Sequence, residues 1–151
     1  MISPDTIPVR DELAAGPGIR AWEIARGLER CGHAVTLAMP KDLFKNQKAD
    51  IKIIPWELSN LKTISKNFDC VVVPQGRGDL AKGYAENVSS DIPTVVDVYD
   101  PVLVEFLSVR TKDKTGLEGA SLYLSEIVPL LKRGDFFICA SEKQRDYWLG
   151  A

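Results

Sequence analysis

The residues with the clearest chemical potential in this chain stand directly after a short apolar run, in the segment Asp97-Val98-Tyr99-Asp100-Pro101. Alternation along a strand places Asp97 and Tyr99 on the same face, with Asp100 just beyond the strand end. A carboxylate in this position is a candidate catalytic base or ligand of a sugar hydroxyl. Asp100 equally suits the cap of a helix opened by Pro101, because Asp followed by Pro is a common helix start. Asp97 is expected to be buried and therefore to need a partner.

The first predicted helix opens with a glycine-rich segment that reads GPGIRA at 16–21. Glycines let a backbone approach a phosphate, and a helix N-terminus offers free N–H groups and a partial positive charge. The spacing matches a dinucleotide-binding fingerprint, but residues 4–15 separate it from the first strand, where that fingerprint has no insertion. A loop that faces a ligand, an ordinary helix cap and an NAD site all stay open. A side chain at Gly18 is expected to block the ligand rather than disturb the core.

Two other turns follow apolar runs. Residues 74–78 read PQGRG, in which Arg77 is suited to clamp a phosphate or carboxylate, although an exposed arginine in a turn is an equally good interpretation. After the last run, Ser141 and Gln144 form a predicted capping box, and Glu142 faces the same edge. His33 follows a helix that stops at glycine, where local electrostatics account for it, so it is not predicted to be a base.

Short apolar runs alternate with helical patterns along the whole chain. The runs are rich in Val and Ile, as in strands buried on both faces of a parallel sheet, and span 34–39, 51–54, 70–73, 94–98 and 136–140 after a short first strand at 2–3. Helical patterns cover 19–32, 58–64, 80–88, 124–131 and 142–149, with a kink or restart expected at Pro129. We predict a Rossmann-like, doubly wound α/β domain, with a mainly parallel sheet of about six strands and helices on both faces. The short first strand and final helix suggest that both ends are trimmed.

The composition excludes several classes of protein. The 151 residues suit a single domain, with 45% apolar and 26% charged residues. The 19 basic and 21 acidic residues lack the basic surplus of a nucleic-acid-binding protein. No apolar run approaches the ~18 residues of a membrane span, and the N-terminus is unlike a signal peptide. Three distant cysteines form no CxxC pair, which indicates a reduced, cytoplasmic protein without a metal site.

Taken together, these segments resemble the N-terminal half of the retaining glycosyltransferases with the two-domain GT-B fold, a group that includes glycogen and sucrose synthases and many bacterial polysaccharide enzymes. The resemblance covers nearly the whole chain. The matching segments are GPGIR at 16–20, LERCGHAV at 28–35, DVYDP at 97–101, and GDF at 134–136 running into ASEKQ at 140–144.

The resemblance implies that residues 1–151 form the acceptor-side domain of an enzyme that transfers a hexosyl group from a sugar nucleotide to a glycan or lipid-linked acceptor. Asp100 would then be the catalytic group. The implied substrate-binding residues are Gly16, Gly18, Arg20, Gln75, Arg77, Tyr99, Ser141 and Glu142. The family's second domain, with its acidic E-x7-E signature, would hold the donor nucleotide.

The resemblance implies no cofactor and no metal, and it makes the chain inactive alone. Its partner would be the donor-binding domain or a partner subunit, and a peripheral membrane contact stays open. Two alternatives remain, namely a dinucleotide-binding oxidoreductase domain and a non-catalytic subunit that positions a partner glycosyltransferase.

Overall fold

Parallel strands and helices alternate along the chain in a computed structural model that describes residues 1–9, 13–45, 49–76, 80–110 and 114–150. The strands are β1 (Thr36–Pro40), β2 (Lys52–Trp56), β3 (Val71–Pro74), β4 (Thr94–Asp97) and β5 (Phe136–Ile138). The helices are α1 (Gly16–Arg30), α2 (Leu61–Ser65, after a 3-10 turn at Leu58–Asn60), α3 (Leu80–Asn87), α4 (Val102–Arg110), α5 (Lys114–Arg133) and α6 (Glu142–Trp148).

The strands form two parallel sheets, one of β1 and β2 and one in the order β3-β4-β5. The N-terminal segment lies between them. The Ile2 amide donates to the Val72 carbonyl over 2.9 Å, and the Ser3 amide donates to the Ala38 carbonyl over 2.8 Å. The predicted single sheet of about six strands is therefore wrong for the described residues, which form five strands in two sheets. The first predicted strand is reduced to one bridge between Ile2 and Ala38, too short to count as a strand.

Helices cover both faces of β1, as the alternation of its side chains shows. Leu37 and Met39 pack in a cluster with Ala21 and Ala25 of α1. Ala38, which points the other way, belongs to a second cluster. That second cluster holds the buried valines of β3 and β4 together with Tyr84 of α3 and several side chains of α5, of which the buried ones are Tyr123, Ile127 and Leu130. The mixed α/β prediction is confirmed.

The helical patterns locate α1, α2, α3 and α6 well, but they omit α4, which was considered only as a helix opened by Pro101, and they cover only the second half of α5. Helix α5 runs unbroken through Pro129, where a kink or restart was expected, and it begins earlier than its apolar pattern. Only one backbone hydrogen bond is lost at an internal proline, and packing of the buried side chains Ile127 and Leu130 supports the helix on either side. Among the described helices, none combines the length and apolar character needed to cross a membrane.

Candidate functional site

An ion pair between distant segments lies at the edge of the sheet where the strands end. Asp97 is the last residue of β4 and only 1% of its side chain is exposed. The Arg20 guanidinium of α1 donates from Nε to Oδ2 and from Nη2 to Oδ1, each over 2.7 Å. This bidentate geometry satisfies the buried carboxylate, and the hydrogen bond to Asp97 raises the pKa of Arg20. The prediction that Asp97 needs a partner is confirmed.

Tyr99 continues the same edge beyond Asp97. The Arg20 guanidinium lies 5.6 Å from the centre of the Tyr99 ring, which is a cation–π distance. Arg20 is therefore held from two directions while 27% of its side chain stays exposed. Its five N–H donors exceed the two that Asp97 uses, so Arg20 retains donors for a polar ligand at this edge.

Gln75 fixes the backbone of Asp100. Its side chain sits directly after β3 and is 1% exposed. Its Nε2 donates to the Asp100 carbonyl over 2.7 Å, and its Oε1 accepts from the Asp100 amide over 3.1 Å. Both ends of the amide are thus engaged within the protein. Gln75, predicted as a substrate ligand, is placed by this geometry as a positioning residue for Asp100.

Replacing Gln75 with Leu is expected to lower the free energy of unfolding by about 1–3 kcal/mol, because the Asp100 amide would lose its acceptor and the Asp100 carbonyl would keep only the Val102 amide. Urea titration of the variant and parent measures the loss. Gln75→Glu keeps the shape but replaces the donor with an acceptor at the Asp100 carbonyl, so it should lower the free energy of unfolding as well. An unchanged free energy of unfolding for Gln75→Leu contradicts the positioning role.

Asp100 itself is half-buried and lies between the end of β4 and the start of α4. The Val102 amide donates to the Asp100 carbonyl over 2.9 Å at the helix entry. Its position fits both interpretations made from the sequence, a helix cap and a ligand of the substrate. Its backbone is fixed on one side by Gln75, so the carboxylate is attached to a well-defined point of this edge.

The two glycines at the start of α1 have different surroundings. Gly16 is exposed, and a Cβ built there would meet nothing within 4 Å. Gly18 is buried, and its Cβ would overlap the Thr6 carbonyl oxygen and lie 2.7 Å from the carbonyl carbon. The backbone of the preceding loop thus rests directly on Gly18. The expectation that a side chain at Gly18 would spare the fold is wrong, because it collides with backbone rather than with an open crevice.

Ser141 and Gln144, predicted to cap helix α6, lie at the same edge, and Gln144 links the helix to Tyr99. Ser141 Oγ accepts from the Gln144 amide over 3.3 Å, which confirms Ser141 as the N-cap. Gln144 also reaches beyond its helix, with Oε1 accepting from the Ala140 amide over 2.8 Å and Nε2 donating to the Tyr99 carbonyl over 2.7 Å. Ser141 and Glu142 are exposed beside this link.

The turn after β3 lies at the same edge, and the structure describes it as far as Gly76. Gly76 adopts a positive φ of 71°, and a Cβ there would lie 2.8 Å from the Ala81 amide nitrogen of α3. Glycine is therefore required by both the conformation and the close approach. Arg77 lies outside the described residues, and its role as an anion clamp stays a prediction.

No protein-family model, no curated protein and no solved structure matches this chain. Its chemistry must therefore be read from the site itself. Within the described ranges, no three His, Cys, Asp or Glu side chains group as a metal site would require. The edge offers the Arg20 cation, the Tyr99 ring and a carboxylate on the fixed backbone of Asp100. Such a set can bind a ligand that carries several hydroxyl groups.

Two contacts at this edge could not be anticipated from sequence patterns. The Arg20–Asp97 pair joins residues 77 positions apart, and Gln144 reaches Tyr99 across 45 positions. For the Arg20–Asp97 pair, the sequence indicated only that Asp97, a carboxylate in a buried strand, needs a partner, and it did not indicate which residue that partner is. A glutamine three residues after Ser141 predicts a contact at the start of its own helix, so the spacing gave no reason to expect that Gln144 would reach Tyr99.

Proposed function

We propose that this chain is the acceptor-side domain of a sugar-nucleotide-dependent glycosyltransferase of the GT-B type, acting on a glycan or lipid-linked acceptor. Its two sheets would then be halves of a Rossmann-like doubly wound fold, with the N-terminal segment as the short central strand. Support comes from the backbone hydrogen bonds that Ile2 and Ser3 make to opposite sheets. A right-handed α/β fold of this type binds ligands outside the carboxyl ends of its strands.

The observation that carries the proposal is the convergence of Arg20, Tyr99 and Asp100 at that edge of the sheet. Each belongs to a segment on which the resemblance rests. The three come from α1 and from the turn after β4, and Gln75 and Gln144 hold that turn from both sides. A specific binding site requires polar groups that are held in place by supporting hydrogen bonds, as Gln75 and Gln144 hold the backbone of this turn.

In this proposal Asp100 accepts a hydrogen bond from an acceptor hydroxyl and orients it toward the donor sugar. Arg20 offers its remaining N–H donors to oxygens of the same ligand. The donor nucleotide binds in a second domain, and closure of the two domains excludes water from the reacting groups. No nucleophile is assigned to this domain.

A dinucleotide-binding oxidoreductase domain is the weaker alternative. That activity needs glycine backbone exposed to a pyrophosphate at the start of the first helix. Here Gly18 is buried against Thr6, so the chain's own loop occupies the place that the pyrophosphate would take. A non-catalytic subunit would use the same edge and differs only in where the chemistry takes place.

We expect Asp100→Asn to lower kcat about a hundredfold in the two-domain enzyme that this proposal implies, since a positioned carboxylate of this kind commonly contributes that much. Asparagine keeps the size and much of the capping geometry, so the melting temperature should stay close to that of the parent. Steady-state kinetics with thermal unfolding of the same samples separates the two effects.

Asp91→Asn is the matched control, because Asp91 is an exposed carboxylate in the turn before β4, at the opposite end of that strand. It should leave kcat unchanged. A fall in melting temperature for Asp100→Asn, with unchanged turnover per folded molecule, would show that Asp100 is only a helix cap.

A further inference from the structure

One face of the β3-β4-β5 sheet is apolar and uncovered. Val72, Val95 and Phe136 lie side by side in register across its three strands. The two valines are half-buried and Phe136 is 63% exposed. On the opposite face, Val73 and Val96 are fully buried. Parallel sheets are normally covered on both faces, so this row lacks a partner layer.

The topology explains why no helix of the described chain covers this row. The connections β3–β4 and β4–β5 are crossovers in one direction and place their helices on one face, where α3 and α5 pack together. Helix α1 packs against β1 on the other face, and no residue of α6 lines the uncovered region. A groove therefore remains between α1 and the outer strand β5.

The groove has a volume of about 930 Å³ and is apolar in its interior and acidic at its rim. Ile24 and Leu28 of α1 form one wall. The groove carries the exposed carboxylates Glu29, Asp50 and Asp69, against Lys52 and the N-terminal amine of Met1, whose pKa burial lowers to about 6. Within the described residues, none of these carboxylates forms an ion pair or a side-chain hydrogen bond.

We propose that this groove binds an amphipathic α-helix of a partner protein, with its apolar stripe on the row of Val72, Val95 and Phe136 and with lysine or arginine along its flanks. A helix is the element that ordinarily covers such a face, which accounts for the apolar interior. The unpaired carboxylates of the rim account for the basic flanks.

The same rim argues against a second copy of this chain as the occupant. Two identical grooves brought face to face would place acidic rims opposite each other, and like charges across an interface are repulsive. The groove reaches the starts of β1, β2 and β3 at Thr36, Lys52 and Cys70, whereas the candidate site lies beyond the ends of β3 and β4. A bound helix would leave that site open, so this inference does not depend on the proposed function.

The test uses two labelled helical peptides of about 18 residues, five turns, that share one leucine stripe and differ in lysine or glutamate flanks. Fluorescence anisotropy measures their affinity for the 151-residue chain. The lysine peptide should bind at least about tenfold more tightly than the glutamate peptide. It should also shift the amide resonances of Val72, Val95 and Phe136 in a ¹⁵N spectrum.

Three variants locate the binding. Phe136→Ser should weaken the lysine peptide about tenfold or more without unfolding the chain, because this side chain is largely exposed. Leu124→Ser, at an exposed leucine of α5 on the far side, should leave the affinity unchanged. The double variant Asp50→Lys and Asp69→Lys should reverse the preference between the peptides.

Several results would overturn the proposal. These are an absence of binding by either peptide, equal affinity for both, or equal weakening by Phe136→Ser and Leu124→Ser. Sedimentation equilibrium of the chain provides one further test. A dimer that forms with rising concentration and is lost in Phe136→Ser would assign the groove to a second copy instead.

Discussion

Replacing Arg20 with Met should lower the free energy of unfolding by about 3–5 kcal/mol, because it leaves the buried Asp97 carboxylate without a partner. Asp97 is almost fully enclosed, so water cannot replace the two hydrogen bonds that the guanidinium supplies. Methionine retains most of the apolar stem of the arginine, which limits the loss of packing. Urea unfolding at pH 7 measures the effect.

The converse change, Asp97→Asn, should cost less, roughly 1–3 kcal/mol. Arg20 keeps access to water and the Tyr99 ring when its carboxylate partner is removed. The most specific expectation is that Arg20→Met loses more free energy of unfolding than Asp97→Asn. A smaller loss for Arg20→Met than for Asp97→Asn would mean that the buried charge is not what the pair stabilises.

Replacing Gly18 with Ala should cost about 3 kcal/mol, since the added methyl group collides with rigid backbone at Thr6. Either the loop or the first turn of α1 must move, and both pack against the cluster of Ala21 and Leu37. Thermal and urea unfolding of the variant report this loss.

Gly16→Ala is the matched control for this change. Gly16 lies in the first turn of the same helix, and no atom beyond its chain neighbours is within 4 Å of its Cβ position. The gain in helix propensity from alanine is offset by Pro17, which disfavours helical backbone at a preceding residue with a Cβ. The free energy of unfolding of Gly16→Ala should stay within about 1 kcal/mol of that of the parent. If both alanine variants are equally stable, the loop does not rest on Gly18 in solution.

The strands that could be predicted from sequence are those with consecutive Val and Ile residues. The apolar runs at 70–73 and 94–98 coincide with β3 (Val71–Pro74) and β4 (Thr94–Asp97) to within one residue. The first strand could not be judged in the same way. Whether Ile2 forms one bridge or a full strand depends on how Ala38 and Val72 approach it, and that is a long-range property.

That Arg20, Asp97 and Gln75 meet at the carboxyl edge of the sheet was predicted in part, but their contacts were not. Polar residues after buried strands were expected to share one edge of the sheet, because parallel strands end together. The roles of Gly18 and Gln75 were not apparent, since one depends on the backbone of Thr6 and the other on the backbone of Asp100. Sequence patterns do not show which distant backbone segment a residue contacts, so these two roles could not be predicted from them.

Binding of a sugar acceptor at the carboxyl edge of the sheet is tested by a ¹⁵N-resolved titration of the 151-residue chain. Oligosaccharides and a lipid-linked sugar in micelles are added in turn, with NAD(H) in parallel. Without the donor-binding domain, affinity should be weak, about millimolar. Sugars should shift the amide resonances of Val98, Tyr99, Asp100 and Ser141, while NAD(H) should shift none of them. Saturation of those amides by micromolar NAD(H), with no response to sugars, would contradict acceptor binding at this edge.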